Sequence, residues 1–168
     1  MHDQVRYELK KWYIDNLNYI NTTKVADLGA NNINGSVSET INHVIGFDIV
    51  NNQNVDVVIV PGVIPDNHKK IYGAVTSVSS FQFCPDSKLY KQQIIDLLCD
   101  NGLLFLTMCT TKCRSSHTTS INKYEYGDGV RYTIDELKSL FSDEFEIIDI
   151  YETSFIPHPD LILKARKK

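Results

Sequence analysis

Over the first twenty positions the apolar residues fall at Val5, Leu9, Trp12, Tyr13, Leu17 and Ile20. This is the three-to-four spacing of one helical face, and the polar run Asn21, Thr22, Thr23 ends it. Residues 24–28 form a short apolar run stopped by Gly29, after which a polar turn leads into a helix expected over 36–42. A strand is predicted at 44–50, its useful end near Asp48, and 51–54 is a polar turn. The β-branched run 55–60, with Asp56 inside it, reads as a buried strand. Pro61, Gly62 and Pro65 then break the chain ahead of a short helix near 66–71.

A fourth strand is expected over 74–81. Pro85 and Asp86 open a helix over 87–99, with Leu89, Ile94, Ile95, Leu97 and Leu98 largely on one face. Asn101-Gly102 is expected to close it, because glycine accepts the left-handed conformation past a last turn. Residues 103–109 read as a fifth strand and 112–126 as a long polar loop. Thr133, with Glu136 three positions on, makes a capping box for a helix to about 141. Two final strands, 144–153 and 161–165, are joined by a proline-rich turn. Strand–helix alternation of this kind predicts an α/β fold with a mainly parallel sheet and helices on both faces. There is no internal repeat or linker, so residues 1–168 are read as a single domain.

Composition narrows the function. Apolar residues make up 42% and charged residues 23%, an ordinary globular balance. The formal net charge of −4 provides no positive field for nucleic acid or an anionic membrane. Nucleic acid is therefore a disfavoured partner, a single modified nucleotide aside. The N-terminus lacks the apolar centre of a secretory signal, and the longest apolar run, 55–64, holds Asp56 and Pro61. The expected address is cytoplasmic, with no membrane partner. The four cysteines are Cys84, Cys99, Cys109 and Cys113. The spacing Cys109-x3-Cys113-x3-His117 has the donor types of a zinc site, but no second Cys/His pair accompanies it. The expectation is no metal.

The chemistry concentrates in Val25-Ala26-Asp27-Leu28-Gly29-Ala30-Asn31-Asn32-Ile33-Asn34-Gly35-Ser36. A strand ending in Asp-Leu-Gly turns into a helix start, at the carboxyl edge where wound sheets bind ligands. The glycine-rich fingerprint of nicotinamide enzymes is absent, since two of its three glycines are missing. Asp48 follows Asp27 by 21 residues, at the end of the next strand. A carboxylate there accepts hydrogen bonds from both hydroxyls of a ribose and repels a 2′-phosphate.

This run resembles the class I S-adenosylmethionine-dependent methyltransferases, particularly the small group whose first motif reads Asp-x-Gly-x-x-x-x-Asn-Gly-Ser; here Asn34-Gly35-Ser36 supplies the ending. The similarity extends over nearly the whole chain, through the segments 72–86 and 98–107. It implies a Rossmann-like, doubly wound, seven-stranded sheet whose last two strands form an antiparallel hairpin, with S-adenosylmethionine as cofactor. It further implies that Asp27, Gly29, Ala30 and Asn31 flank the methionine and ribose of that cofactor. Asp48 would hold the ribose diol, and Ser79, Ser80 and Phe81 would line the methionine end. Two positions depart from the family. Val60, Pro61 and Gly62 stand where an acidic residue often meets the adenine, and Gln82 and Phe83 replace an acid–histidine or histidine pair.

The missing histidine need not stop methyl transfer. The sulfonium already activates the methyl carbon, so alignment in a dry site supplies much of the rate. A base is needed only if the acceptor must lose a proton. The candidates for it are His117 and Tyr124, with Tyr126 and Asp128 nearby, and Arg131 is a candidate for binding an acidic group of the substrate. Against these stand plainer readings: His117 and the tyrosines as loop surface, Arg131 paired with Asp128 or Asp135, and Trp12 and Tyr13 as core. The leading expectation is an enzyme methylating a small molecule. The alternative is a non-catalytic cofactor-binding or scaffolding subunit of a methyltransferase-like complex.

Overall fold

The computed structural model describes residues 3–31, 35–84, 86–110, 130–154 and 159–168. Helix α1 (Asp3–Asp15) and the one-turn α2 (Leu17–Ile20) lead into β1 (Lys24–Leu28). Strands β2 (Val44–Asp48), β3 (Val57–Val58) and β4 (Tyr72–Val78) follow, then α3 (Ser87–Leu97) and β5 (Leu98–Cys109). Helix α4 (Ile134–Phe141), β6 (Phe145–Glu152) and β7 (Asp160–Lys167) complete the chain. The sheet order is β3-β2-β1-β4-β5-β7-β6. β7 lies antiparallel between β5 and β6, and the other neighbouring pairs are parallel. This is the expected seven-stranded Rossmann-like α/β sheet with its C-terminal antiparallel hairpin.

Side-chain alternation builds two cores from the one sheet. Val25, Ala74, Leu103, Phe105 and Ile162 face α1 and pack with Val5, Leu9 and Trp12. Leu28, Phe47, Val75, Leu104, Leu106 and Leu163 face the other way, toward Ile94 and Leu97 of α3 and Leu137 and Phe141 of α4. Trp12 is thus core, as its spacing predicted. Following the α1 face toward the carboxyl ends, the residues turn polar. Asp27 pairs in register with Thr76, Val78 with Thr107, and Cys109 with Asp160.

Four local expectations need correcting. The helix predicted over 36–42 is a single 3₁₀ turn, Val37–Glu39, capped by Ser36 and Glu39. β-branched Val37, Thr40 and Ile41 favour no longer helix. The helix predicted near 66–71 is likewise a 3₁₀ turn, Asp66–His68. The third strand shrinks to Val57–Val58 at the sheet edge, leaving Val58 and Val60 exposed rather than buried. Asp56 interrupts it, its carboxylate accepting the Gly46 N–H at 2.8 Å. At the end of α3, Asn101 takes the left-handed backbone (φ 62°) in place of Gly102. The helix stops because Leu98 is already paired with Tyr72, and the buried Lys167 ammonium donates to the carbonyls of Ile95 and Leu98 at 3.0 and 2.7 Å. The capping box of Thr133 and Glu136 forms as predicted.

A polar latch holds α1 on its face. The Tyr151 hydroxyl donates to Glu8, while the Lys164 ammonium reaches Glu8 at 3.4 Å and the Tyr151 hydroxyl at 3.0 Å. The side chains of Lys164 and Glu8 are 11% and 10% exposed, so removing one charge strands the other. Glu8→Ala is expected to cost about 3 kcal/mol in urea unfolding, and Glu8→Leu with Lys164→Met to recover most of it.

Candidate functional site

The site is built where β1, β2 and β4 end. After Leu28 the chain bends over the end of β2, the N–H groups of Gly29 and Ala30 donating to the Phe47 carbonyl at 2.8 and 3.1 Å. Gly29 sits at φ +88°, in the left-handed region open to glycine. A Cβ there would lie 2.2 Å from both Cβ and Oγ of Ser80. The space freed by the missing side chain is therefore filled by Ser80, whose hydroxyl donates to the Leu28 carbonyl at 2.9 Å. The Tyr90 hydroxyl donates to the same carbonyl at 2.8 Å and contacts Ser77 and Ser80. Burial raises the Tyr90 phenol well above its ordinary range, keeping it a neutral donor.

Two carboxylates follow this bend. Asp48, 8% exposed at the end of β2, accepts the Asn31 N–H through one oxygen and the Val50 N–H through the other, each at 3.1 Å. It therefore faces the bend, and Asn52 braces the same turn by donating to Asn31 Oδ1 at 2.7 Å. Asp27, 5% exposed, accepts the Thr76 hydroxyl at 2.8 Å. Burial pushes its carboxyl up to about 7; the Thr76 bond opposes the shift and the Asp48 charge adds to it. Asp27, Ala30, Ser36, Ser38, Gly46 and Asp56 are among the residues lining a polar cleft of about 170 Å³. Gly46 admits the neighbouring loop, since a Cβ there would meet the Asn54 carbonyl oxygen at 1.9 Å.

The other expected residues separate. Ser79 has a left-handed backbone (φ 56°), and its N–H donates to the Thr107 carbonyl and hydroxyl, locking the end of β4 onto β5. The Phe81 ring is 1% exposed and packed edge-on to Tyr90, so it belongs to the core between α3 and α4. Gln82, standing where the family often places an acid or histidine, is 3% exposed. Its side-chain oxygen accepts the Cys109 N–H at 2.6 Å, and its carbonyl accepts the Val130 N–H at 2.7 Å. It joins the ends of β4 and β5 to the segment carrying Arg131. His117, Tyr124, Tyr126 and Asp128 lie outside the described residues, as does Cys113. Among the described residues no group of three or more His, Cys, Asp and Glu is placed to hold a metal.

Sequence reasoning passed over Thr76, Tyr90 and Asp160. Thr76 and Tyr90 carried no isolated signal, because their roles come from strand register and from a helix 62 positions beyond Leu28. Asp160 had one: a lone acid directly before the apolar run Leu161, Ile162, Leu163.

No family model matches the sequence, and no curated protein matches it. Solved structures do match in shape. A Burkholderia thailandensis 1,6-didemethyltoxoflavin-N1-methyltransferase, solved with bound 1,6-didemethyltoxoflavin and S-adenosylhomocysteine, superposes with a TM-score of 0.70 at 12% identity, over 98% of this chain and 78% of that one. An S-adenosylmethionine-dependent methyltransferase of Thermotoga maritima gives 0.65 at 13% identity, over 96% and 93%. One from Anabaena variabilis gives 0.61 at 16%, over 95% and 84%. At these identities the likeness is one of fold: the chain has the fold of class I S-adenosylmethionine-dependent methyltransferases.

Proposed function

We propose that this chain binds S-adenosylmethionine at the Asp27–Asp48 edge and transfers its methyl group to a small-molecule acceptor. The observation that carries the reading is the placement of Asp48. A buried carboxylate faces the Gly29–Asn31 bend on a sheet with methyltransferase topology. The residues fit the cofactor's chemistry. Asp48 suits the paired hydroxyls of the ribose, and Asp27 and the Ala30–Asn31 backbone suit the donors of the methionine part. The cofactor supplies a methyl group on a sulfonium, already activated toward a nucleophile. The protein's part is to orient the acceptor and exclude water. Arg131 suits an acidic group on that acceptor. Calorimetry with S-adenosylhomocysteine and with NAD tests the assignment. Binding of the first alone supports it, and binding of neither, or of NAD, contradicts it.

A second reading, a non-catalytic cofactor-binding or scaffolding subunit, is favoured by one observation. Val58, Val60 and Val63 at the β3 edge are each more than half exposed, and residues 59–65 after β3 contain no acid. Incubation with labelled cofactor and a cell extract separates the two. Label transfer that depends on the protein supports the enzyme, and tight cofactor binding without transfer supports the subunit.

The raised Asp27 carboxyl gives the cofactor site a pH dependence. With a folded value near 7 against an ordinary 3.8, Asp27 is protonated below neutrality in the free protein. The ligand's donors need the ionised form, so affinity is complete above about pH 7 and is lost as pH falls. Between pH 7.5 and pH 5.5 the dissociation constant for S-adenosylhomocysteine is expected to rise about 25-fold, with proton release on binding below pH 7. Calorimetry in buffers of different ionisation enthalpy measures both. The unliganded fold has the opposite trend, since a raised carboxyl favours folding at low pH and loses that contribution as pH rises through 7.

A further inference from the structure

Two buried polar atoms of opposite charge type flank the carboxyl end of β5 without a hydrogen-bond partner among the described residues. They are Nη1 of Arg131 and Oδ2 of Asp160. Thr110, the residue after β5, connects them. Its N–H donates to the Pro159 carbonyl at 3.2 Å on one side, and it is bridged to Tyr132 on the other. Arg131 and Asp160 are thus each one residue from a backbone partner of Thr110. Asp160 is 1% exposed, and its backbone is held at both ends by Thr153. Its N–H donates to the Thr153 hydroxyl at 2.9 Å, and its carbonyl accepts the Thr153 N–H at 2.8 Å. This bonding fixes the strand and leaves Oδ2 unused. No ion pair joins the two residues to each other.

An unpaired buried guanidinium N–H and an unpaired buried carboxylate oxygen are each destabilising, and each asks for a partner. Asp160 lies on the α1 face, in register with Cys109, one step beyond the Val78–Thr107–Ile162 row and at the same edge of the sheet as Asp27 and Asp48. We propose that Arg131 and Asp160 are a recognition pair for a small zwitterionic amino carboxylate, Arg131 holding its carboxylate and Asp160 its ammonium. The assignment rests on the methyltransferase reading, and in it this zwitterion is the acceptor. Arg131 presents a planar fork of donors suited to a carboxylate. Asp160 accepts from the ammonium and takes one of its protons onto Oδ2, leaving a neutral carboxyl and a free nitrogen lone pair. Burial supports that role by pushing the Asp160 carboxyl up to about 6. From β5 and the residue after β6, the groups set against it are Cys109 and the uncharged Thr153.

The test is calorimetry on the full chain saturated with S-adenosylhomocysteine, using glycine, β-alanine and 4-aminobutyrate as probes and propylamine and propionate as single-charge controls. At least one amino carboxylate is expected to bind about tenfold or more tighter than either control. Arg131→Gln, Arg131→Lys and Asp160→Asn are each expected to weaken it about tenfold or more, the loss of one charge-assisted bond. S-adenosylhomocysteine affinity should stay within about twofold in all three variants, since none of them touches the Asp48 site. Asp160→Asn is expected to melt no lower than wild type, because an amide replaces a buried unpaired charge. Failure of every probe to bind, equal binding of the controls, or variants that bind as wild type would each overturn the pair. Failure of the wild type to bind S-adenosylhomocysteine overturns the methyltransferase reading instead, whatever the probes do.

Discussion

Asp48→Ala is expected to weaken S-adenosylhomocysteine binding more than about a hundredfold. Each charge-assisted hydrogen bond shielded from water contributes about 1.5–3 kcal/mol, and the ribose diol offers two. The substitution also releases the Asn31 and Val50 N–H groups that the carboxylate now holds at 3.1 Å, loosening the bend that the ligand needs ordered. Asp48→Asn keeps the size and one acceptor oxygen, so its loss should be intermediate, about tenfold. Calorimetry on the three proteins gives the series directly. A loss below tenfold for the alanine variant means that the sugar is held elsewhere.

Gly29→Ala is expected to damage the fold strongly. A β-carbon would meet Ser80 at 2.2 Å, and φ +88° is strained for alanine whatever the space around it. Overpacking and backbone strain together cost about 3–5 kcal/mol, which lowers the melting temperature of a chain this size by about 10 °C. Combining it with Ser80→Gly removes the collision and leaves the strain, so about half of the loss should return. Chemical unfolding of the single and double variants measures this. If Gly29→Ala is as stable as wild type, the bend does not pack on Ser80 as described.

The parts of the fold that announced themselves in sequence are those decided locally. The Asp-Leu-Gly bend, the Thr133–Glu136 box and the nearly continuous apolar run of β5 each carry their structure in a few adjacent residues. The position of Asp48 at the end of β2 is legible in the apolar run that precedes it. What escaped was settled across the sheet. The run 55–60 has the composition of a buried strand, but it lands on an open edge, where Asp56 caps Gly46 and the valines face solvent. Asn101-Gly102 has the chemistry of a helix stop, yet the stop came from Lys167, some seventy positions away. Gly29 marks a bend in the sequence, but its nearest neighbour is Ser80, which only the packing of β4 beside β1 brings there. Phe81 reads as a site residue by family position, and tertiary packing buries its ring with Tyr90 and Phe141. The unpartnered atoms of Arg131 and Asp160 have no sequence signature, because being unpaired is a property of the folded surroundings.

A crystal structure of the chain with S-adenosylhomocysteine addresses the ribose contact most directly. Both ribose hydroxyls are expected within hydrogen-bonding distance of the Asp48 carboxylate, with the thioether sulfur turned toward the ends of β4 and β5. A nucleoside bound at any other edge, with Asp48 still holding only its two backbone N–H groups, would contradict it.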